Sequence, residues 1–465
     1  MGFVAGSTTF SCAATGAIPA GRRRWRGRCA VDTAQPMGCA LRSVAPRRGR
    51  IRHGLGWLRM FPQLDSRDSW GSEMHPQNAP DHNCPHDPSD GAGIAAWAVQ
   101  RGRSLGFAAV GICDASPSRR GDQLRGWLAA QKHGSMDWME RNIEVRLDPA
   151  RLVVGAQSIV VVADRYHDGR PDRRPAQLID PISGLHSAAG RTARYARGRD
   201  YHRRIKKRLR RLQRELELAL PGTRGKVCCD IEPVMEREMA ERAGLGASGK
   251  HTLLILPQLG SWVLLACFVT TARLQPSVPN ESEPSDPCGS CTRCIDACPT
   301  QAITPWSVDG ARCISAITIE ARQAVEPALA SKARDWLFGC DICQEVCPHN
   351  QPTRLSRRVG FHSEYDGRNA SFSLIEVLGW DEITRRKAFG PSPLNRVKAA
   401  HARRNAVWCA LEVLERSADP PLDSALRAIA SDRDEDEMVR AAAIEVVARI
   451  DRHLLGSTAP PDIML

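Results

Sequence analysis

The sequence predicts an α+β fold: a region that mixes helices and strands, then a cysteine-rich segment, then a region of helices. Three observations lead to this prediction. Apolar runs typical of strands and of amphipathic helices alternate between about residues 91 and 271. Eight cysteines then fall between Cys288 and Cys347, and helical periodicity alone follows Asn350. A chain of 465 residues has room for two or three domains of this kind.

The first segment of the chain, 1–85, lacks hydrophobic periodicity and is rich in arginine. Residues 1–73 contain 12 arginines, no lysine and four acidic residues, and so supply 8 of the net +13 charges. An arginine-rich, acid-poor leader is typical of a transit peptide. We favour a simpler interpretation, in which the true start is Met60 or Met74 and 1–85 is a disordered leader or a mis-assigned start.

The first folded region, 86–280, opens with helix-like and strand-like sequences. The apolar residues of Ile94–Leu105 recur at helical spacing, and Phe107–Cys113 has the composition of a strand. Ser158–Ala163 is rich in β-branched residues and is apolar after its first serine. Such a run is typical of a strand that is buried on both faces.

The longest apolar stretch, Thr252–Thr271, is interrupted by Pro257, Gln258 and Gly260. A helix that crosses a bilayer needs about 20 consecutive apolar residues. We therefore expect two buried strands around a turn here, and no membrane helix in the chain.

A glycine-rich motif precedes this stretch. Gly244-x4-Gly249-Lys250 matches a phosphate-binding P-loop, except that His251 stands where Ser or Thr would hold Mg²⁺. A P-loop follows a strand and opens a helix, whereas this motif follows the helix-like Glu236–Ala243 and leads into a strand. We therefore expect a turn that lets the backbone approach another ligand, and no nucleotide site.

The segment 191–220 is basic and has helical periodicity. Its apolar stripe consists of Ile205, Leu209, Leu212 and Leu216. Eight cations surround the stripe, with no acidic residue among them: Arg203, Arg204, Lys206, Lys207, Arg208, Arg210, Arg211 and Arg214. Two interpretations stay open, a solvated helix face and a surface that faces RNA.

The cysteine segment, 281–352, carries the most specific pattern of the chain. It reads Cys288-x2-Cys291-x2-Cys294-x3-Cys298-Pro, then Cys313, then Cys340-x2-Cys343-x3-Cys347-Pro. Cysteines at every third position hold three corners of an iron–sulfur cube, and the cysteine before proline ligates the neighbouring cluster. We predict two [4Fe–4S] clusters. The first set of ligands is Cys288, Cys291, Cys294 and Cys347, and the second set is Cys298, Cys313, Cys340 and Cys343.

Zinc sites and unligated thiols are the alternatives for this segment. Two C-x2-C pairs alone would suit zinc, but the longer spacing with its proline is far more specific to iron–sulfur clusters. The chain has 17 cysteines, and an odd number argues against a disulfide framework. We therefore expect a reducing compartment, the cytoplasm.

The last region, 353–465, is helical. Two of its stretches, which begin at Arg404 and Arg440, resemble each other 36 residues apart. Such a repeat indicates a short stack of helical pairs of the HEAT type.

Several of these segments resemble the tRNA epoxyqueuosine reductase family, from about Gly91 to about Ala410. The resemblance rests on Gly134-Ser-Met-Asp-Trp-Met139, Arg194-Tyr-Ala-Arg-Gly-Arg-Asp-Tyr-His202, Asp230-Ile-Glu-Pro-Val-Met-Glu236, Ala243–Thr252, Arg312–Glu320 and the cysteines. It implies a cobalamin-binding α/β catalytic domain over 86–280, a ferredoxin-type domain over 281–352 and tRNA-contacting HEAT-like helices over 353–465. It also implies cobalamin-dependent reduction of epoxyqueuosine at the wobble position of tRNA, the last step of queuosine synthesis.

The same resemblance implies roles for single residues. Asp230 would be the acid that protonates the opening epoxide, which near neutral pH requires a raised pKa; the alternative is a capping or structural carboxylate. The residues that would approach cobalamin are Arg146, Arg194, Asp230, Ser315, Cys340 and Asp341. The residues that resemble a tRNA contact surface are those of the basic helix together with Arg396, Lys398, Arg403 and Arg404.

Two other function classes remain. One is a corrinoid iron–sulfur reductase that acts on a small organic substrate, such as a dehalogenase, which would not need the basic helix or the C-terminal repeats. The other is a non-catalytic electron carrier with an RNA-binding appendage, which would not need the long region before the cysteines. The preferred interpretation implies tRNA and an external electron donor as partners, no membrane, and a monomer.

Overall fold

The structure is a computed structural model that describes residues 90–172, 177–179, 186–277, 286–365, 367 and 369–457. All of them fall within one compact unit, 74–465. The expectations for the segment 1–85 lie outside the described residues.

The region before the cysteines contains helices and strands, as predicted. Its helices are α1 (Gly91–Ser104), α2 (Gly121–Ala129), α3 (Ile143–Leu147), α4 (Pro149–Leu152), α5 (Tyr201–Ala219) and α6 (Glu236–Arg242). Its strands are β1 (Ala109–Asp114), β2 (Ser158–Arg165), β3 (Gln177–Ile179), β4 (His186–Thr192), β5 (Gly225–Cys228), β6 (Ala247–Ser248), β7 (Leu254–Ile255) and β8 (Val263–Thr270).

A four-stranded antiparallel sheet, in the order β1-β2-β8-β5, forms the centre of this region. Every residue of β2 is buried, which confirms the prediction from its β-branched run. Strands β7 and β8 are the two strands predicted around a turn. No helix among the described residues is long and apolar enough to cross a membrane.

Helices cover both faces of the sheet. Because successive side chains of a strand point to opposite faces, Val160 and Val162 pack with α1 and α5, whereas Ile159 and Val161 pack with Met239 of α6. An apolar run with no polar alternation is therefore what this central strand requires.

Helix α5 begins where the Asp200 carboxylate accepts the backbone N–H of His202, at 2.9 Å. Its predicted apolar stripe is confirmed, since Ile205, Leu209, Leu212 and Leu216 have no exposed surface. Burial of such side chains contributes about 1.5–3 kcal/mol each as an upper estimate, and it fixes which cations of the helix face outward.

The cysteine segment is built from short elements. They are α7 (Arg293–Asp296), β9 (Ile303–Thr304), β10 (Ser307–Val308), α8 (Ile314–Ile319), α9 (Pro327–Ala330), β11 (Trp336–Phe338) and α10 (Ile342–Glu345). With so little regular structure the segment has a small apolar core, a group around Ile314, Ala333 and Trp336 that Ala193 of the preceding region completes.

The last region is mostly helical. Its elements are α11 (Arg354–Arg358), β12 (Ser371–Ser373), α12 (Leu374–Leu378), α13 (Glu382–Phe389), α14 (Ala399–Leu414), α15 (Pro420–Ser431) and α16 (Glu437–Ser457). The two similar stretches lie in α14 and α16, which pack against each other. The assignment of these helices to the HEAT type stays a prediction.

A second sheet joins the three predicted domains. Strand β4 pairs in parallel with β11 and antiparallel with β12, and β3 also pairs with β4, so the first predicted domain contributes two strands and each of the others one. The boundaries at 280 and 352 stay predictions, but the chain does not separate into independent bodies at those points.

Candidate metal centres and acid site

The four cysteines of the first predicted set line one small cavity. The residues that surround this cavity include Cys288, Cys291, Cys294, Cys347, His251 and His349. The loop between these cysteines is open to solvent at Gly289, Ser290 and Thr292. Burial raises the pKa of Cys347 to about 11, so a metal must displace its proton to bind the thiolate.

The second predicted set also comes together. Burial raises the pKa of Cys340, and the nearby thiols of Cys313 and Cys298 raise it further. Cys343 lies close to Cys340 and Cys313 and has its pKa raised mainly by burial as well. The assignment of the eight cysteines to two sets of cluster ligands stays a prediction.

The distances between side chains do not suit a single metal ion. Among the described residues, no three His, Cys, Asp or Glu side chains approach closely enough to hold one.

The glycine-rich turn contacts the loop of the first set. The backbone N–H of Lys250 donates to Cys288 Sγ at 3.3 Å. Its Nζ donates to the carbonyls of Gly289, at 2.6 Å, and Cys291, at 3.1 Å. At Gly246, with φ +157°, a Cβ would lie 2.2 Å from the Ile255 carbonyl oxygen, so the turn requires glycine there. The turn predicted to approach a ligand thus brings the backbone of Lys250 close to the cysteine loop.

Asp230 lies at the centre of a tight turn after β5. Its φ is +64°, and the N–H of Ile231 donates to the carbonyl of Cys229 at 2.7 Å. Glu236 Oε1 accepts the backbone N–H of Asp230 at 3.1 Å. A non-glycine residue in this conformation is uncommon and costs energy, and such residues cluster at functional sites.

The first turn of α5 supplies two donors to the Asp230 carboxylate. Tyr201 Oη donates to Asp230 Oδ2 at 2.9 Å. His202 Nε2 lies 3.2 Å from the same oxygen, and His202 Nδ1 lies 2.7 Å from Asp200 Oδ1. The rings of Tyr201 and His202 stack, with centroids 4.1 Å apart. The result is a chain of contacts from Asp200 through His202 to Asp230.

The protonation states differ from those expected from the sequence. The Asp230 side chain is 64% exposed, yet the protein around the loop partly desolvates it, which alone would raise its pKa. Hydrogen bonds from His202 and Tyr201 outweigh that effect, so the pKa of Asp230 is lowered. The raised pKa that a neutral acid needs is therefore not present, because an imidazole from a separate segment lies beside this carboxylate.

His202 and Glu236 carry the raised pKa values of this site. Burial alone would lower the pKa of His202, but its contacts with Asp200 and Asp230 raise it to about 9. Burial, together with the charge of Asp230, raises the pKa of Glu236 to about 7. At neutral pH the imidazole is thus the group that holds a proton beside Asp230.

Tyr195 connects this site to the second cysteine set. Asp230 and Asp341 both lie close enough to raise the pKa of Tyr195, after burial, which is the larger cause. Its ring is 6.3 Å from that of Tyr201 and 6.3 Å from that of Phe338, which ends β11 shortly before Cys340. The acid site and the second set are therefore neighbours.

The other residues predicted to approach a cofactor lie in two places. Arg194 and Asp341 bond to each other, since the backbone N–H of Arg194 donates to Asp341 Oδ2 at 2.8 Å. Arg194 also pairs with Glu345, at 3.0 Å, and burial raises the pKa of Asp341 to about 6. Ser315 lies in α8, two residues after Cys313, and Cys340 directly precedes Asp341.

Arg146 lies close to Glu236 of the acid site. Its side chain is 9% exposed, and its Nε has no hydrogen-bond partner in the described part of the chain. Burial lowers its pKa, while the charge of Glu236 partly offsets that effect. A buried guanidinium with an unsatisfied donor is costly unless a ligand completes it.

The eight cations of α5 divide into two groups. Arg204 pairs with Glu364, Lys206 with Glu232 and Arg208 with Asp164, and Arg211 pairs along the helix with Glu215. The other four are exposed and have no ion pair among the described residues: Arg203, Lys207, Arg210 and Arg214. Their spacing of three and four residues places them on one stripe.

The C-terminal cations predicted to contact tRNA are mostly bound within the chain. Arg404 is 1% exposed and donates to the carbonyls of Ile317 and Ala321. Arg403 pairs with Glu435, and Arg396 with Glu320. Arg404 is thus not a surface contact, because its guanidinium donates hydrogen bonds to carbonyls in and just after α8.

Comparison with known proteins gives two family matches. Residues 287–350 match the model described as a 4Fe-4S double cluster binding domain. Residues 146–231, which include Arg146, His202 and Asp230, match the model described as Epoxyqueuosine reductase QueG, DUF1730. The cysteine segment is therefore a binding domain for two [4Fe–4S] clusters.

Relatives that match about two thirds of this chain are named epoxyqueuosine reductase. The epoxyqueuosine reductase of Cyclobacterium marinum is 37% identical over 306 residues, which are 65% of this chain and 92% of that protein. That of Gloeobacter violaceus is 38% identical over 321 residues, 68% of this chain and 95% of that protein. A crystal structure of epoxyqueuosine reductase with a tRNA-Tyr epoxyqueuosine-modified stem loop has TM-score 0.66 and 27% identity, and the match covers 78% of this chain and 94% of that one.

Proposed function

The chain belongs to the epoxyqueuosine reductase family, and we propose that it is an oxidoreductase that converts epoxyqueuosine to queuosine at the wobble position of tRNA. The observation that carries the proposal is the position of Asp230, which contacts Tyr201 and His202 and is joined through Tyr195 to the second cysteine set. A carboxylate with a proton source beside an electron-transfer segment is what removal of an epoxide oxygen needs.

The reaction sets the requirements. Removing the epoxide oxygen breaks two C–O bonds, forms a carbon–carbon double bond, and consumes two electrons and two protons, so that the oxygen leaves as water. The electrons come from a metal cofactor, and the protein must hold the substrate and deliver the protons. In this proposal Asp230 is the residue that touches the epoxide oxygen.

The residues around Asp230 fit a large amphipathic cofactor, and we propose cobalamin. The unsatisfied Nε of buried Arg146 would meet a polar group of the cofactor, and the 72% exposed side chain of Ile231 would meet an apolar face. The other residues proposed to hold it are Arg194, Ser315, Cys340 and Asp341. When bound, cobalamin supplies a strongly reducing cobalt.

The contacts of Arg194 refine its proposed role. Its guanidinium reaches Glu345 and lies 4.5 Å from the ring centroid of Trp262. Together with the bond to Asp341, these contacts hold the loop that carries Cys340 and Cys343. We therefore propose that Arg194 positions the cofactor-facing backbone of that loop.

We propose that an external electron donor docks at the first cysteine set. The loop of that set is exposed at Gly289 and Ser290, whereas the second set lies beside buried segments and nearer to Asp230. Lys250 anchors the exposed loop through hydrogen bonds to the carbonyls of Gly289 and Cys291. The first set is therefore the accessible end of the segment.

We propose that tRNA binds along the outer stripe of α5, defined as Arg203, Lys207, Arg210 and Arg214. The stripe begins one residue after His202 and extends about 16 Å along the helix axis, at 1.5 Å per residue. Cations without internal partners can neutralise phosphates. A tRNA that places its wobble base at Asp230 could thus lay its adjoining backbone on the stripe.

We also propose that the protein acts in the cytoplasm as a monomer.

The test is mass spectrometry of the wobble nucleoside in cells that lack this protein. We expect epoxyqueuosine to accumulate there, and the wild-type gene to restore queuosine. Cys298→Ser should fail to restore it, because loss of a ligand of the second set removes electron supply. Unchanged queuosine in the deletion strain would contradict the proposal. A purified protein that binds iron but no cobalamin would contradict the cofactor assignment alone.

A further inference from the structure

The proton that Asp230 would deliver to the epoxide has to come from a neighbouring group. Asp230 has a lowered pKa and is a carboxylate at neutral pH. A carboxylate cannot act as an acid until another group protonates it.

We propose that His202 is the proton-relay partner of Asp230, oriented by Asp200, and that it supplies the protons that Asp230 passes to the epoxide oxygen. The inference rests on the function proposed above and deepens it. The His202 Nε2–H bond breaks as a proton moves to Asp230 Oδ2. Rotation of the carboxyl group about its Cβ–Cγ bond then turns this O–H toward the substrate, and the O–H bond breaks as the epoxide oxygen takes the proton. His202 recovers a proton from solvent and repeats the transfer, which accounts for both protons consumed.

The geometry supports a relay. Asp200 Oδ1 is 2.7 Å from His202 Nδ1, which fixes the ring so that Nε2 points at Asp230, 3.2 Å away. Oδ1 of Asp230 has no hydrogen bond among the described residues, so it is available to a substrate. The His202 side chain keeps 20% of its surface exposed, which gives a path for protons from solvent.

Other groups at the site are weaker sources of the proton. Burial raises the pKa of Tyr201 well above its ordinary value, so its hydroxyl donates a hydrogen bond but does not ionise near neutral pH. Glu236 contacts the backbone of Asp230 and has no described contact with its carboxylate. The charged groups that face the pair are Asp200, Arg203, Glu236 and Arg396.

The pH dependence follows from the charge of His202. The relay operates while the imidazole is protonated, which holds below its pKa of about 9 and is lost above it. The wild-type single-turnover rate should therefore be level near neutral pH and fall as pH rises through about 9. If Glu236 were the source, the fall would occur near pH 7 instead.

The experiment is single-turnover reduction of epoxyqueuosine-containing tRNA by pre-reduced holoenzyme across this pH range. His202→Gln keeps a hydrogen-bonding group but holds no acidic proton, so we expect a rate about 10²-fold lower at neutral pH, the low end of what a lost general acid costs. The fall near pH 9 should disappear. Asp200→Asn should retain more of the neutral rate and move the fall to lower pH, because one of the two carboxylates that stabilise the imidazolium is gone.

The controls separate the relay from a structural role. Iron content and tRNA affinity should match wild type in His202→Gln, and His362→Gln, which alters an exposed histidine with no described contact to Asp230, should behave as wild type. A fall near pH 9 that persists in His202→Gln would overturn the relay, as would an unshifted profile in Asp200→Asn. A wild-type holoenzyme that converts no epoxyqueuosine would instead overturn the proposed function.

Discussion

Helix α5 carries cations on two sides, an inner side that contacts other segments of the chain and the outer stripe. The two sides differ in what surrounds these cations. On the inner side Arg204, Lys206 and Arg208 reach acidic residues of other segments, and His202 reaches Asp230. On the outer side the stripe from Arg203 to Arg214 has no ion pair among the described residues. On the inner side Lys206, through Glu232, and His202 contact the acid loop, whereas the outer side presents the cations that we propose bind a polyanion.

The difference shows that a run of cations in a sequence is not one surface. The partners of the inner cations are Glu364, Glu232 and Asp164, all distant from them in sequence. Lys206 holds Glu232, which in turn accepts the backbone N–H of Cys229 at 2.8 Å, next to Asp230. We therefore expect Lys206 to affect chemistry through the shape of the acid loop, and the outer cations to affect binding alone.

The largest expected effect is on the inner side, at Asp230. Asp230→Asn retains size and polarity but cannot carry the proton, so we expect the single-turnover rate of pre-reduced enzyme to fall about 10²- to 10⁴-fold. That corresponds to about 3–5.5 kcal/mol of barrier. Iron content, cobalamin affinity and tRNA affinity should be unchanged. A wild-type rate would show that Asp230 is a structural carboxylate.

The outer stripe should give the largest effect on binding. Reversing Lys207, Arg210 and Arg214 to Glu should weaken tRNA binding and flatten its dependence on salt. The log–log slope should change by about 0.9 for each phosphate of a duplex region that the variant no longer neutralises. Affinity measured at several salt concentrations tests this. An unchanged slope would make the stripe an ordinary solvated face.

Lys206 is the matched cation on the inner side, and the sequence alone had grouped it with Lys207 and Arg210. Lys206→Met should leave the salt slope near that of wild type. Because it leaves Glu232 partly buried without its partner, it should lower the free energy of unfolding by about 1–3 kcal/mol. Denaturant unfolding checks this value, and a slope as flat as that of the triple variant would place Lys206 in the outer group.

The smallest effect should come from Arg211, which is exposed and pairs with Glu215 one turn along the same helix. Arg211→Ala should change stability by no more than about 0.5 kcal/mol, since exposed pairs of this spacing contribute little. Its thermal midpoint should stay close to wild type. A loss comparable to that of Lys206→Met would show that an exposed ion pair along the helix stabilises the fold as much as a half-buried pair with another segment.

Short-range patterns in the sequence predicted those features of the fold that depend on residues close together in the chain. The apolar stripe of α5 and the burial of β2 follow from periodicity, whereas the assignment of the cysteines to two sets, which rests on spacing, stays a prediction. The pairing of His202 with Asp230 was not predicted, because it joins residues 28 positions apart through a loop with positive φ. The Asp-x-His spacing of Asp200 and His202 at a helix start was the available signal. Burial of Arg404 could not be foreseen either, since its acceptors are carbonyls of a distant segment.

The most direct test of the separation between the two sides of α5 is the single-turnover rate measured against tRNA concentration. The variant with Lys207, Arg210 and Arg214 reversed should need more tRNA but reach the wild-type rate at saturation. Asp230→Asn should saturate at wild-type tRNA concentrations with a rate at least about 10²-fold lower. A stripe variant that stays slow at saturating tRNA, together with an Asp230→Asn enzyme that recovers the wild-type rate, would contradict this separation of binding from chemistry.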